Sequence, residues 1–268
     1  MIKTASDFSL TVLGSRGSMA FCGNDCARFG GDSSCYMVRA GEETVFLDAG
    51  TGLSAAPEDY PRSPAILLSH LHLDHLIGLG VFPGLNNPHI HTRIYVPFCA
   101  DRQAAEECMS RVFAPPFWPL RLTEYASRPE VLSLPDNISL GELGIEAIPG
   151  NHPGGCMAFR LRYQGKAIVY ITDYEYEEKS FARLIVFSKD ADLLLFDAQY
   201  TEDELKIKAG FGHASVGMGM KLMAMSGAKR MLLIHHDPKS FDPILDAREK
   251  NLARVNIFYA RTGQCIEL

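Results

Sequence analysis

Short apolar runs recur along the chain, and most of them stop abruptly on Gly, Asp, Ser or His. "FSLTVLG" (8–14), "CYMVRA" (35–40), "TVFLDAG" (44–50) and "AILLSH" (65–70) come first. "RIYVP" (93–97), "LGIEAIP" (143–149), "MAFRLRY" (157–163) and "KAIVYITD" (166–173) follow, then "DLLLFDA" (192–198), "RMLLIHH" (230–236) and "NIFYA" (256–260). Their length and β-branched content predict strands. Helical spacing of apolar positions falls between some of them, over 101–112, 177–187, 215–226 and 243–252. Early strands in hairpin-like succession, then strands alternating with helices, predict an α/β (α+β) architecture of sheets covered by helices. No repeat, low-complexity segment or linker divides the chain, so residues 1–268 are expected to form a single domain. The Pro-rich aromatic segment "FAPPFWPL" (113–120) reads equally as a packed surface loop or as a flap over a pocket.

The polar residues that end these runs carry the chemistry. "SHLHLDHLIG" (69–78) places His70, His72, Asp74 and His75 in six consecutive positions. His70 and His72 are two apart, so in an extended segment they point the same way. Asp74 and His75 stand where the chain is expected to turn into a helix beginning "LIGL". Imidazole and carboxylate suit a borderline divalent metal. The competing reading, a solvated polar turn, would spend four costly groups at the end of a buried strand. His152 lies in "PGNHPGGC", Asp173 ends "AIVYITD" and His235 ends "RMLLIH". Taken singly, these are a turn residue, a helix N-cap and a buried, satisfied histidine. Taken together, they sit at strand ends, which converge on one rim of an α/β sheet, and they complete a two-metal site. His89 and His91 also have HxH spacing, but no acid or histidine follows, and they read as an exposed strand start. "GSRGS" (14–18) lacks the GK[ST] ending of a phosphate-cradling loop.

Composition narrows the partners. Hydrophobic residues make up 47% of the chain, yet no stretch approaches the roughly 20 apolar residues of a membrane span. The N-terminal "MIKTASDFSLTVLG" lacks the apolar core of a signal peptide, and a cytoplasmic location is expected. Lys plus Arg is 26 against 32 Asp plus Glu, a net charge of −6 without a basic run. A long nucleic acid is therefore not the expected partner; a small phosphate ester, met by a local cation such as Arg16 or Arg28, remains compatible. Seven scattered cysteines make no disulfide framework. Cys22 and Cys26 lack two further ligands nearby, so free thiols are expected, with a structural metal there left open.

The ordered set of motifs resembles the metallo-β-lactamase-fold hydrolases. It runs through "GSRGS", "GGDSSCYMV" (30–38), "FLDAGTGL" (46–53), "SHLHLDH", His152, "ITD" (171–173), "FDAQYT" (196–201), "FGHAS" (211–215) and "LLIHHDP" (232–238). The resemblance implies a four-layer αββα sandwich with two metals at one edge. His70, His72 and His152 would hold one, Asp74, His75 and His235 the other, and Asp173 would bridge them. Of the pair at 235–236, His235 directly follows the strand, and His236 should face away. A bridging hydroxide would then attack the substrate, with Asp74 orienting it or taking its proton. Zinc is the expected metal, with manganese or iron as alternatives.

"FGHAS" and the helix after it are similar to the phosphodiesterase branch of that superfamily, which includes tRNA 3′-processing endonucleases and phosphoribosyl cyclic phosphodiesterases. That likeness implies that His213 faces the scissile phosphate; Arg16, a nearby cation in the opening loop, and Ser215 are also expected beside the substrate. The plainer reading of the segment is a helix-capping loop, with Ser215 as the cap. His152 and Asp173 are only 21 positions apart, too close for the long arm of the tRNA enzymes. The opening loop 14–35 resembles that of the diesterases that open five-membered cyclic phosphates. A dinuclear phosphodiesterase acting on a small or cyclic phosphodiester is therefore the expected function. An ester, thioester or lactone hydrolase with the same metals is one alternative, and a non-catalytic metal-bound sensor is another. A homodimer is compatible with everything read here.

Overall fold

The computed structural model describes residues 7–250, 252 and 256–268. The start of the N-terminal segment and residue 251 of the expected helix 243–252 lie outside the described residues. Six strands open the chain: β1 (Phe8–Gly14), β2 (Cys35–Ala40), β3 (Glu43–Leu47), β4 (Ala65–Leu67), β5 (Arg93–Val96) and β6 (Glu130–Ser133). Seven follow: β7 (Asn137–Leu140), β8 (Leu143–Gly150), β9 (Cys156–Tyr163), β10 (Lys166–Ile171), β11 (Leu193–Asp197), β12 (Met231–Ile234) and β13 (Ile257–Tyr259). The last, β14 (Cys265–Glu267), returns to the first sheet, whose order is β14-β1-β2-β3-β4-β5-β6; the second runs β13-β12-β11-β10-β9-β8-β7. Five helices complete the chain: α1 (Arg102–Ser110), α2 (Glu178–Phe187), α3 (Glu202–Ile207), α4 (Val216–Ser226) and α5 (Asp242–Lys250).

The sheets face each other across a core that includes Leu10, Val38 and Leu67 from one and Phe159, Leu161 and Leu195 from the other. Outside the first sheet, Phe46, Ile66 and Ile94 pack with Ala105 and Met109 of α1. Outside the second, Val169, Leu194 and Leu233 pack with side chains of α2, α4 and α5. Four layers result, an αββα sandwich. Strands β3, β4, β11 and β12 are covered on both faces and wholly buried, which is why they read as unbroken apolar runs.

Each sheet changes character part-way across. β1, β2 and β3 pair antiparallel, and β3 to β6 pair parallel. β8, β9 and β10 pair antiparallel, and β10 to β13 pair parallel. The carboxyl ends of the parallel strands around these switches are where α/β folds place ligands. Asp48 follows β3, His70 follows β4, Asp173 follows β10, Asp197 ends β11 and His235 follows β12. Asp48, Asp173 and His235 also adopt left-handed backbone, with φ of 59°, 46° and 60°. Non-glycine residues adopt that conformation at a cost, and it clusters at functional sites.

Several expectations are corrected. The helix expected to begin at "LIGL" is a short 3₁₀ helix, Ile77–Val81, preceded by a 3₁₀ turn over Leu73–His75. Strands β6, β7 and β14 and helix α3 had no apolar signature: they are short, lie at sheet edges or, in α3, bury no residue. The 113–120 loop is packed at its start, where Phe113 is buried, Trp118 presses on Gly80 and its Nε1–H donates to Tyr125 Oη at 2.9 Å, while Phe117 and Leu120 stand exposed.

His236 does face away from the strand-end residues. Its Nε2–H donates to the Ala260 carbonyl at 2.8 Å, and its ring packs edge-on against Phe29 and Tyr259. Burial, with Arg16 nearby, pushes its pKa down to about 3. Because the folded value is depressed, the stability it contributes is complete above the unfolded pKa near ~6.5 and is lost as pH falls towards 3. Chelator-treated protein should therefore lose unfolding free energy more steeply between pH 6.5 and 4 than a His236→Gln variant does. Parallel stability–pH curves for the two proteins would contradict this.

Candidate metal centre

The carboxyl ends of the strands bring seven side chains together. In the first donor set His72 Nδ1 lies 3.2 Å from His152 Nε2. Asp173 Oδ2 is 3.6 Å from His70 Nε2 and 3.8 Å from His152 Nε2. In the second set His75 Nε2 is 3.2 Å from Asp74 Oδ2, from Asp173 Oδ1 and from His235 Nε2. His235 Nε2 is 3.3 Å from Asp74 Oδ2 and 3.2 Å from Asp173 Oδ1. Ligands 2.0–2.1 Å from a tetrahedral ion lie about 3.3 Å apart. The second set matches that spacing closely and the first is slightly wider. Asp173 turns one oxygen to each set.

Local backbone explains the convergence. His70 lies three residues beyond the end of β4, and His72 is extended where the Leu73–His75 turn begins. The His75 carbonyl accepts the Ala49 amide at 2.8 Å, which ties this turn to the segment after β3. Asp74 Oδ2 accepts the Ser18 amide at 2.8 Å, so the opening loop fixes that carboxylate.

The outward nitrogens of the rings are anchored, and this sets which nitrogen faces inward. His75 Nδ1–H donates to Asp48 Oδ2 at 2.7 Å, His152 Nδ1–H to the Gly212 carbonyl at 2.8 Å, and His235 Nδ1–H to Gln199 Oε1 at 2.8 Å. His70 Nδ1 meets Ser69 Oγ at 3.0 Å, while its inward Nε2 is buried without a hydrogen-bond partner. Pairs of imidazole nitrogens facing each other at 3.2 Å, with a buried unpaired nitrogen beside them, are the arrangement expected of groups that share a cation. This mixed imidazole and carboxylate chemistry fits a divalent ion.

The electrostatics divide the imidazoles: carboxylates led by Asp173 outweigh burial and hold His75 and His235 above their ordinary values, whereas burial holds His152 below. Burial alone would raise Asp173 and Asp74, but the neighbouring imidazoles outweigh it and hold both carboxyls well below the usual range. Burial, reinforced by His75, holds His70 well below its ordinary value, so it is neutral and ready to coordinate.

His213 is brought to the same place. Its ring stacks on His235 with centroids 4.8 Å apart, and its Nδ1 lies 3.1 Å from Asp197 Oδ2. Asp173, Asp197, His213 and His235 also offer atoms within 4.8 Å of one another. Asp197 is already spent, however, since its Oδ2 also accepts the Tyr174 amide at 3.2 Å and its Oδ1 the Gln199 amide at 3.0 Å. It serves to orient its neighbours.

Other expected site residues are placed differently. Arg16 is fully buried, and its guanidinium donates to the carbonyls of Asp237, Ser240 and Gly30. It clamps the opening loop, and no donor is turned to a substrate. Ser215 is the N-cap of α4, its Oγ accepting the Met218 amide, so the capping reading holds for that residue. Arg28 pairs with Asp246. All seven cysteines are free, and among the described residues no donor group includes one. Asp48 and Asp197 were quoted within motifs but not marked as site residues. Each closes an apolar run on a carboxylate, the same signal that singled out Asp173.

A family model described as a β-lactamase superfamily domain matches residues 43–236, from β3 to the residue after His235. The chain belongs to the β-lactamase superfamily. Within the superfamily it is 24% identical over 216 residues to a probable metallo-hydrolase, YhfI of Bacillus subtilis (strain 168), covering 76% of this chain and 79% of that protein. The crystal structure of the metallo-β-lactamase fold protein YhfI superposes with a TM-score of 0.76 at 21% identity, covering 98% of this chain and 100% of that one. A diphosphatase of the PhnP family gives a TM-score of 0.70 at 19% identity, with 97% and 98% covered. Human tRNase Z, short form, gives 0.69 at 16%, also with 97% and 98% covered. These likenesses establish the metallo-β-lactamase fold. Membership of the superfamily and the His/Asp cluster together imply a metallohydrolase that takes a divalent metal. Among the described residues no helix is long and apolar enough to cross a membrane.

Asp48 touches no donor set itself but holds the ring of His75. Asp48→Asn is expected to weaken metal binding by about 10–100-fold in competition with a chelator. Unchanged affinity in the folded variant would remove Asp48 from the design of the site.

Proposed function

We propose that the protein is a dinuclear metal-dependent phosphodiesterase acting on a small or cyclic phosphodiester, with residues 1–268 working as one hydrolase domain. His70, His72, His152 and Asp173 would hold one ion, and Asp74, His75, His235 and Asp173 the other. Zinc is the proposed metal. When bound, such ions supply an activated water near neutral pH and Lewis acidity at the phosphoryl oxygens.

The observation that carries this reading is His213. It is buried, stacks on His235 and commits Nδ1 to Asp197. A proton passed to a leaving oxygen therefore travels through Nε2, the role of a general acid at a departing alkoxide. Asp74, steadied by the Ser18 amide, is the carboxylate proposed to orient the attacking water and take up its proton. Asp173 keeps the two donor sets at a fixed separation. The compact β9–β10 pair between His152 and Asp173 suits a small substrate better than a nucleic acid. Likeness to a diphosphatase and to a tRNase Z leans towards phosphorus.

The test is turnover of bis-p-nitrophenyl phosphate by purified protein of known metal content, beside p-nitrophenyl esters. Asp173→Ala should lose both bound metal and activity. His213→Ala should keep its metal and lose about 10²–10⁴-fold in kcat on diphenyl phosphate, whose leaving oxygen needs a proton, and far less on bis-p-nitrophenyl phosphate. Ester hydrolysis with no diester turnover by fully loaded protein would replace the phosphodiesterase reading with an esterase or lactonase one.

A further inference from the structure

His213 rides on the loop between α3 and α4, where its ring and the Ala214 amide are tied to Asp197 while Gly210 and Phe211 before it are exposed. Gly210 and Gly212 both have φ of 87°, and Phe211 between them is 66% exposed. Glycine at such positions gives a loop wide conformational freedom. The amides of the two glycines are held by Glu175, two residues after Asp173. Its Oε1 accepts the Gly210 amide at 2.6 Å and its Oε2 the Gly212 amide at 3.1 Å. Hydrogen bonds to an ionised acceptor are roughly twice as strong as neutral ones.

Glu175 is itself held from the other side. Its amide donates to the Asn151 carbonyl at 2.8 Å, and Asn151 Nδ2 donates back to the Glu175 carbonyl at 3.0 Å. The circuit closes through His152, whose Nδ1–H donates to the Gly212 carbonyl. A Cβ on Gly212 would sit 2.2 Å from that nitrogen, so only glycine admits the contact. Three loops, carrying His152, Asp173 and His213, are thus joined in one ring of hydrogen bonds with Glu175 at its centre.

We propose that Glu175 is a positioning residue that sets the place of His213 relative to the metal donors, by clamping the Gly210 and Gly212 amides. The part concerning catalysis rests on the phosphodiesterase reading of His213; the clamp itself does not. Removing the carboxylate frees the loop while leaving every metal donor in the chain. The loss should therefore fall on protonation of the leaving oxygen. It should be large where that oxygen needs a proton and small where it leaves readily as an anion. Glu175→Gln keeps one acceptor oxygen but turns an NH₂ towards the other amide, so it should lie between the parent and Glu175→Ala.

The experiment uses the full-length, metal-loaded chain as parent, Glu175→Ala and Glu175→Gln. Amide hydrogen exchange over residues 208–214 is read beside kcat for diphenyl phosphate and for bis-p-nitrophenyl phosphate. In Glu175→Ala, exchange should accelerate about tenfold or more with metal content unchanged. Diphenyl phosphate turnover should fall about 100-fold, and bis-p-nitrophenyl phosphate turnover less than about fivefold. Unchanged exchange, loss of bound metal, or equal loss on both diesters would each overturn the proposal. If the parent hydrolyses neither diester, the functional reading alone fails, and the exchange result decides the clamp.

Discussion

A carboxylate sealed from water destabilises a fold unless donors surround it, and Asp48 is sealed completely. Its Oδ1 accepts the Ser69 amide, and its Oδ2 accepts Ser69 Oγ, His75 Nδ1 and Tyr170 Oη. Those donors come from three places. Ser69 belongs to the strand end that delivers His70, His75 to the second donor set, and Tyr170 to the opposite sheet. One buried charge therefore registers β3 against β4, fixes the tautomer of a candidate ligand and joins the two sheets beneath the site. Deleting any one donor would leave the others organised around an under-satisfied group, which makes the arrangement cooperative.

The second sheet repeats the device. Asp197, also fully buried, ends β11 and gathers the amides of Tyr174 and Gln199 together with the ring of His213. Asp48 thus orients a candidate metal donor and Asp197 the proposed acid, while Asp173 between them is left to face both donor sets. The left-handed backbone at Asp48, Asp173 and His235 costs on the order of 1–3 kcal/mol per residue. It persists because each of those side chains is held by several partners at once.

Much of this was legible in the order of residues. Strands covered on both faces left unbroken apolar runs, and a charge closing such a run marked Asp173 and His235. The density of His70, His72, Asp74 and His75 spoke for itself. What stayed hidden had a physical reason. β6, β7 and β14 lie at sheet edges, where a strand needs no apolar run. Arg16 looked like a surface cation because its neighbours are glycine and serine, yet its partners are the backbone carbonyls of Gly30, Asp237 and Ser240, which no local pattern reveals. Glu175 sat in an acidic stretch that reads as a solvated approach to α2, and its clamp on Gly210 and Gly212 exists only through tertiary contact.

The sharing of Asp173 also has a temporal side. The first donor set draws on residues 70 to 173, whereas the second joins Asp74 to a histidine 161 positions further along the chain. During synthesis from the N-terminus, the side chains of the first set have all been made while His235 is still to come. The last of the candidate ligands therefore arrives only with β12, the strand that also extends the second sheet.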